Sequence, residues 1–135
     1  MNDLIKKKII AINLISFFFI WLLIFLAGAD KPPPIGFLWL VGLLIALDIV
    51  LFFYLKSFLP RLKLRKKGIF FIHMVYFFVG GIVLSLVTIL LKPSYLDVGL
   101  LNISFWTISI ICVSMINGIC CYLFNLILLR LFEQQ

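Results

Sequence analysis

One carboxyl group lies in the middle of an otherwise apolar stretch of this sequence, and this position makes it the clearest candidate for chemistry. Asp48 is the single acidic residue within residues 35–58. A charged side chain at the centre of a membrane span costs ~2.5–3.5 kcal/mol on insertion scales, so this carboxylate needs a partner or a proton. Three interpretations are open: coupling of a proton or cation, a polar contact with a partner subunit, and a neutral carboxyl that serves packing alone.

Two polar residues in other apolar stretches are candidates for contact with Asp48. At ~1.5 Å of rise per residue, Asp48 lies roughly 15 Å from the inner end of its stretch. Ser16 and Asn117 lie at a similar depth in their own stretches. Hydrogen bonds between membrane helices contribute ~0.6–2 kcal/mol each. We therefore predict an intramembrane polar cluster of Asp48, Ser16 and Asn117, against the alternative that each side chain bonds to its own helix backbone.

His73 is the single histidine of the chain and lies about one turn into a third apolar stretch. An imidazole changes its charge near neutral pH, so His73 is a candidate for titration and proton relay. The alternative is a hydrogen-bonded anchor near the membrane interface. A metal site needs several converging ligands, and no other potential ligand has a matching spacing. We therefore expect no metal and no cofactor.

Small and polar side chains recur at helical spacing and predict faces on which helices approach closely. In the last apolar stretch, five of them fall on one stripe at 100° per residue. Such faces serve either packing within the chain or contact in an oligomer. The residues predicted for helix packing are Gly80, Gly81, Ser85, Thr107, Ser114, Gly118, Cys121 and Asn125. Gly42 and Ala46 form a further pair of small residues, and the three cysteines have no zinc spacing and are interpreted as packing residues.

Four long apolar stretches must position these residues. The chain has 135 residues, of which 65% are hydrophobic and 13% charged, with a mean hydropathy of +1.28. Soluble domains have ~45–50% apolar and ~25% charged residues, and a chain this short cannot bury such an apolar excess. Runs of about 20 apolar residues cross a bilayer as helices. The sequence therefore predicts an all-α integral membrane protein with one domain, residues 1–135, and four antiparallel transmembrane helices at 9–29, 35–58, 69–91 and 98–129.

The distribution of basic residues predicts the orientation of these helices. The net charge is +7, and ten of the twelve lysines and arginines lie in the two terminal segments, in the middle connection or, as Lys56, at the adjoining end of the second span. By the positive-inside rule, both termini and that connection are cytoplasmic. The middle connection carries Arg61, Lys63, Arg65, Lys66 and Lys67. These residues are topology signals, contacts for anionic lipid headgroups, or contacts for an acidic partner. Nucleic acid is not expected as a partner, because no soluble domain is present to bind it.

The first stretch also has features of a cleaved signal peptide. Basic residues 6–8 precede it, and the small residues Ala27, Gly28 and Ala29 end it. The apolar part has ~18 residues, whereas signal peptides have 7–15, so we favour a retained span. The other three spans keep their orientation in either case.

No motif for catalysis is found in the sequence. A glycine-rich phosphate loop, a His-Glu-x-x-His helix and a Gly-x-Ser-x-Gly turn are all missing, so we expect no enzyme. The leading hypothesis is a non-enzymatic accessory or regulatory protein that contacts a larger membrane protein through its helices. The alternative is a small oligomeric transporter or channel in which Asp48 couples a proton or cation. The content of Ile, Phe, Leu and Lys favours a bacterial plasma membrane.

Overall fold

The computed structural model describes residues 3–28, 37–64, 68–91 and 100–133. These residues form four helices, α1 (Asp3–Gly28), α2 (Phe37–Lys63), α3 (Ile69–Leu91) and α4 (Leu100–Glu133). Each helix contains a stretch that is long and apolar enough to cross a membrane. The all-α class and the four apolar helices are thereby confirmed. The antiparallel four-helix arrangement and the single-domain organisation stay predictions.

Three of the helices extend beyond one end of their predicted spans. α3 covers the predicted residues 69–91, whereas α1 begins at Asp3 and not at residue 9. A carboxylate in the first turn of a helix is stabilised by the positive end of the helix dipole. α4 begins at Leu100 and continues past residue 129 to Glu133, with the cation Arg130 in its last turn. Both helices therefore include charged residues beyond their apolar stretches. Asp3 and Arg130 have the sign that the helix dipole favours, whereas Glu133 at the end of α4 has the opposite sign.

α2 continues through Pro60, beyond residue 58 at which the predicted span ends. The helix continues to Lys63, with Arg61 and Lys63 in its last turn. Proline removes one backbone hydrogen bond from a helix interior and strains the preceding turn. The residues beside it, Leu59 and Leu62, are almost fully buried. Their packing holds the last turn in helical form, and the basic side chains oppose the negative end of the helix dipole.

Contacts divide the chain into two compact units. The first comprises Met1–Leu64 with Leu131–Gln135, and the second comprises Arg65–Arg130. In the first unit, α1 and α2 pack against each other. The second unit contains α3 and most of α4. Gly68 precedes α3 with a φ of +83°, a conformation that glycine adopts without strain, and its carbonyl accepts the first helical hydrogen bond from Ile72.

Contacts in the second unit occur in opposite order along its two helices. Phe70 packs edge-on against Tyr122, with ring centroids 5.0 Å apart. Further along α3, the carbonyl oxygen of Phe77 accepts a hydrogen bond from Ser114, which precedes Tyr122 on α4. Along this contact, α3 and α4 therefore run in opposite directions.

Large apolar side chains are exposed on all four helices. They include Phe19 on α1, Phe53 on α2, Phe71 on α3 and Phe105 on α4. Monomeric soluble proteins rarely expose apolar patches larger than a few hundred Å². Helices that are apolar on every side are typical of membrane spans. The surface of the described helices therefore fits a multi-pass membrane protein.

Replacement of a buried leucine on α2 is expected to destabilise the fold. Leu55 is 0% exposed, so Leu55→Ala leaves a cavity and lowers the free energy of unfolding by about 2 kcal/mol or more. Leu38 on the same helix is 86% exposed, so Leu38→Ala serves as the matched control. We expect it to change the free energy of unfolding by less than about 0.5 kcal/mol. Unfolding by denaturing detergent, followed by circular dichroism, measures both. Equal losses in the two variants would contradict the assigned burial.

Candidate functional site

Asp48 lies on α2 at the boundary between a packed face and an exposed face. On one side, Leu44 and Leu55 are almost fully buried. On the other, Ile45 and Ile49 are each about half exposed. At 100° per residue, all four lie within roughly a quarter turn or slightly more of Asp48. The carboxyl group is therefore next to the core of the first unit and beside an open surface.

The open surface beside Asp48 is a shallow groove between α1 and α2. It is lined by Leu14 of α1 and by Ile45, Asp48, Ile49 and Phe52 of α2, and its volume is about 240 Å³. Four of these five side chains are purely apolar. The α2 residues follow the helical spacing of three and four that places side chains on one face. The groove thus presents one polar group in an apolar setting.

The carboxyl oxygen Oδ1 of Asp48 is buried and has no hydrogen-bond partner among the described residues. An ionised carboxylate is an acceptor only, and the interior of a helix offers no free N–H donors, because each is bonded to the carbonyl four residues earlier. A buried polar atom without a partner costs about 1–3 kcal/mol, and more when it is charged. This oxygen is therefore the least satisfied polar atom that the described residues contain.

Four donor side chains of α1, α3 and α4 bond to the backbone of their own helix. Each reaches a carbonyl oxygen three or four residues earlier. The bonds, each of 2.8 Å, are from Asn13 Nδ2 to Ile9 O, Ser85 Oγ to Ile82 O, Ser109 Oγ to Phe105 O and Asn125 Nδ2 to Cys121 O. A carboxylate cannot use this route, because carbonyl oxygens are also acceptors. This difference explains why Oδ1 of an ionised Asp48, unlike the amides of the buried asparagines, has no partner among the described residues.

The other two members of the predicted polar cluster are half-buried. Ser16 lies on α1 in the first unit, and Asn117 lies on α4 in the second unit. Because Oδ1 of Asp48 has no hydrogen-bond partner among the described residues, Ser16 does not donate to it. The cluster of Asp48, Ser16 and Asn117 stays a prediction.

His73 is fully buried in the second unit. Its Nε2 atom lies 2.8 Å from the carbonyl oxygen of Gly118 on α4. A carbonyl only accepts, so Nε2–H is the donor. The imidazole also packs between the rings of Phe77 and Tyr122, with centroids 4.8 and 5.7 Å away. Of the two interpretations of His73, this geometry fits a hydrogen-bonded anchor. Titration of His73 and proton relay stay a prediction.

Gly118 provides the space for this contact between α3 and α4. A Cβ atom at this position would lie 2.8 Å from Cγ of Phe77 and 3.1 Å from Cε of Met74. Phe77 and Met74 were missed as site residues in the sequence. Their signal is the position of Phe77, which follows Met74 by three residues and His73 by four, so that the three side chains lie on one side of α3.

The predicted packing residues of α3 divide into buried and exposed positions. Gly81 is buried, and a Cβ there would lie 3.0 Å from Cβ of Ser114 and 3.1 Å from the backbone of Ile111. Ser85 is also buried. Gly80 is exposed, and a Cβ there would meet nothing within 4 Å among the described residues. Gly80 therefore takes no part in the α3–α4 contact, because it lies on the adjacent face of the helix.

The predicted stripe on α4 lies mostly toward the packed side of the helix. Gly118 and Asn125 are buried, and Thr107, Ser114 and Cys121 are half-buried. The hydroxyl of Ser114 donates to the carbonyl of Phe77 at 2.6 Å, which joins the stripe to α3. Of the remaining cysteines, Cys112 and Cys120 are exposed. None of the described His, Cys, Asp and Glu residues form a group of three that could hold a metal ion.

Exposed basic side chains lie near both ends of the first unit's sequence. Lys7, Lys8 and Lys56 are exposed, as are Arg61 and Lys63 in the last turn of α2. The other predicted contacts of this cluster, Arg65, Lys66 and Lys67, lie outside the described residues. A phosphate or carboxylate can therefore reach the end of α2.

No family model, curated protein or solved structure matches this chain. The function must be argued from the chain's own residues.

Two adjacent glycines of α3 provide a test of the α3–α4 contact. Gly81→Ala introduces a methyl group against Ser114 and the backbone of Ile111, and we expect a loss of about 1–3 kcal/mol in stability. The neighbouring Gly80→Ala adds a methyl group in open space, and the lower chain entropy stabilises the helix by up to about 1 kcal/mol. Thermal unfolding in detergent measures both. If Gly81→Ala were as stable as Gly80→Ala, the close approach would be wrong.

Proposed function

We propose that this chain is a non-enzymatic membrane accessory protein that acts on a larger membrane protein through helix–helix contacts. The observation that carries the proposal is the buried Oδ1 atom of Asp48, which lacks a hydrogen-bond partner among the described residues and lies beside an open groove. A polar group at this depth is stabilised when a second helix brings a donor to it. The groove supplies the surface for such a helix.

The proposal includes an antiparallel four-helix bundle in a bacterial plasma membrane, with both termini in the cytoplasm. The distribution of the basic residues supports this orientation. The length of the first connection supports a hairpin. Only eight residues join Gly28 to Phe37, and they span at most about 32 Å, whereas a helix of 26 residues is about 39 Å long. Two packed helices of this length in full register therefore cannot run in parallel.

The basic residues near the end of α2 form the second part of the proposal. Arg61 and Lys63, with Arg65, Lys66 and Lys67, contact anionic lipid headgroups or an acidic segment of the partner. Near an anionic membrane surface, each such charge contributes about 1 kcal/mol. This contact holds the protein at the cytoplasmic face and leaves Asp48 to select the partner helix.

A transporter with Asp48 as its coupling residue is the second candidate function. Its support is the same carboxyl group. A path for protons or ions needs a series of polar or hydrated groups. The groove at Asp48 has four apolar lining residues and one polar residue. This lining favours a helix as the occupant over an aqueous path.

Purification from native membranes in mild detergent tests the proposed function. We expect a larger membrane protein to co-purify with the wild type, and Asp48→Asn to reduce its recovery about tenfold or more, because a neutral amide weakens a charge-assisted contact. Asp3→Asn makes the same chemical change at the exposed start of α1 and serves as the matched control. Recovery of a homo-oligomer without a second protein from all three preparations would contradict the proposal, and flux assays in liposomes would then test the transporter.

Cysteine labelling tests the proposed orientation. In a variant without the three native cysteines, single cysteines replace Lys31, Lys92 or Lys63. We expect a membrane-impermeant maleimide to label positions 31 and 92 in intact cells, and position 63 only after permeabilisation, because the basic segments stay on the cytoplasmic side. Labelling of position 63 in intact cells would contradict the orientation.

A further inference from the structure

We infer that the groove beside Asp48 binds a transmembrane helix of the partner that carries a lysine or arginine at the depth of Asp48. The inference rests on the proposed function and names the chemistry of the partner's contact residue. Its basis is the combination of the buried, unsatisfied Oδ1 atom with the open groove that it adjoins. The occupant must present a donor to that atom and apolar surface to the rest of the groove.

The shape of the groove selects a helix. The lining residues of α2 extend from Ile45 to Phe52, which is about two helical turns, and Leu14 of α1 forms the opposite side. Within a bilayer, an occupant must satisfy its own backbone groups, and a helix does so internally. An apolar helix surface placed between α1 and α2 covers Ile45 and Ile49, which are otherwise about half exposed.

An ionised Asp48 selects a cationic side chain. A neutral amide or hydroxyl donor returns less free energy than the insertion of a charged carboxylate costs, so a neutral donor leaves a net penalty. A lysine or arginine neutralises the carboxylate and is itself neutralised by it. Charged residues within membrane spans pair with one another for this reason.

A second copy of this chain does not supply that cation. The lysine or arginine nearest to Asp48 on the described helices is Lys56, about 12 Å further along α2, and the others lie nearer the helix ends. In a second copy inserted with the same orientation, none of these cations reaches the depth of Asp48. At that depth, a second copy brings apolar side chains, neutral donors or another Asp48, and two ionised carboxylates repel each other. Charge complementarity therefore points to a different protein, in which a cation within a membrane span pairs with Asp48.

Designed transmembrane peptides provide the probe. Each peptide is a polyleucine helix with one guest residue, Lys, Asn, Glu or Leu, at the depth of Asp48. Binding to the purified full-length protein is measured by energy transfer between fluorophores in phosphatidylcholine vesicles. This neutral lipid removes any contribution of the basic end of α2. The protein variants are the wild type, Asp48→Asn and Asp48→Lys, each checked for helical content and monodispersity.

We expect the wild type to bind the Lys peptide about tenfold or more tightly than the Leu peptide, and more tightly than the Asn peptide. Asp48→Asn loses this preference, and Asp48→Lys binds the Glu peptide in place of the Lys peptide. This reversal is an effect that altered packing alone does not produce. Equal affinity for the Lys and Leu peptides, or an Asn peptide bound as tightly as the Lys peptide, would overturn the inference.

The two proposals fail in different ways. A native partner that is lost in Asp48→Asn, but whose contacting span carries no lysine or arginine, overturns the cationic helix and retains the accessory function. A preference for the Lys peptide without any native partner in the purification retains the site chemistry and overturns the accessory function.

Discussion

Each of the four described helices contains a stretch long and apolar enough to cross a membrane, and a membrane span contains no water. For helices of this composition, the lack of water is the constraint on which the rest of the structure depends. In such a span, polar atoms must find partners within the protein. Asn13, Ser85 and Asn125 bond within their own helices, to carbonyl oxygens three or four residues earlier. His73 bonds across the second unit, to the carbonyl of Gly118. An ionised carboxylate has no such solution, because it accepts hydrogen bonds from donors that the helix backbone has already used.

Because of this difference between donors and acceptors, an ionised Asp48 contributes to stability differently from the other polar residues. It costs free energy within the isolated chain and contributes stability once a donor is brought to it. Residues that do not lower the energy of the isolated chain are good candidates for contacts with other molecules. Asp48 lies between buried leucines and a half-exposed face. A second helix in the adjoining groove can therefore reach its unpartnered oxygen. The proposed function follows from this position and not from a motif.

The second unit shows how the same constraint is met by close packing. Lipid tails are as apolar as leucine, so apolar surface alone does not drive two membrane helices together. Here, Gly81 and Gly118 let α3 and α4 approach closely. The hydrogen bonds of His73 and Ser114 then join the two helices at defined positions. The stripe of small residues was visible in the sequence. The large residues Met74 and Phe77 that fill the space above Gly118 were not singled out, because large apolar residues occur on every face of α3.

The sequence by itself determined the helical class, the number of long apolar helices and the residues that break the apolar pattern. These properties follow from local composition, since a run of about 20 apolar residues satisfies its backbone only as a helix in lipid. Tertiary structure alone decided which polar groups are satisfied. In the structure, Gly81 is buried and Gly80 is exposed, and α2 continues through Pro60. His73 donates to the carbonyl of Gly118, whereas Oδ1 of Asp48 has no partner among the described residues. The physical reason is that hydrogen bonds and close packing depend on the distance and rotation between helices, and a one-dimensional pattern defines only the face on which each residue lies.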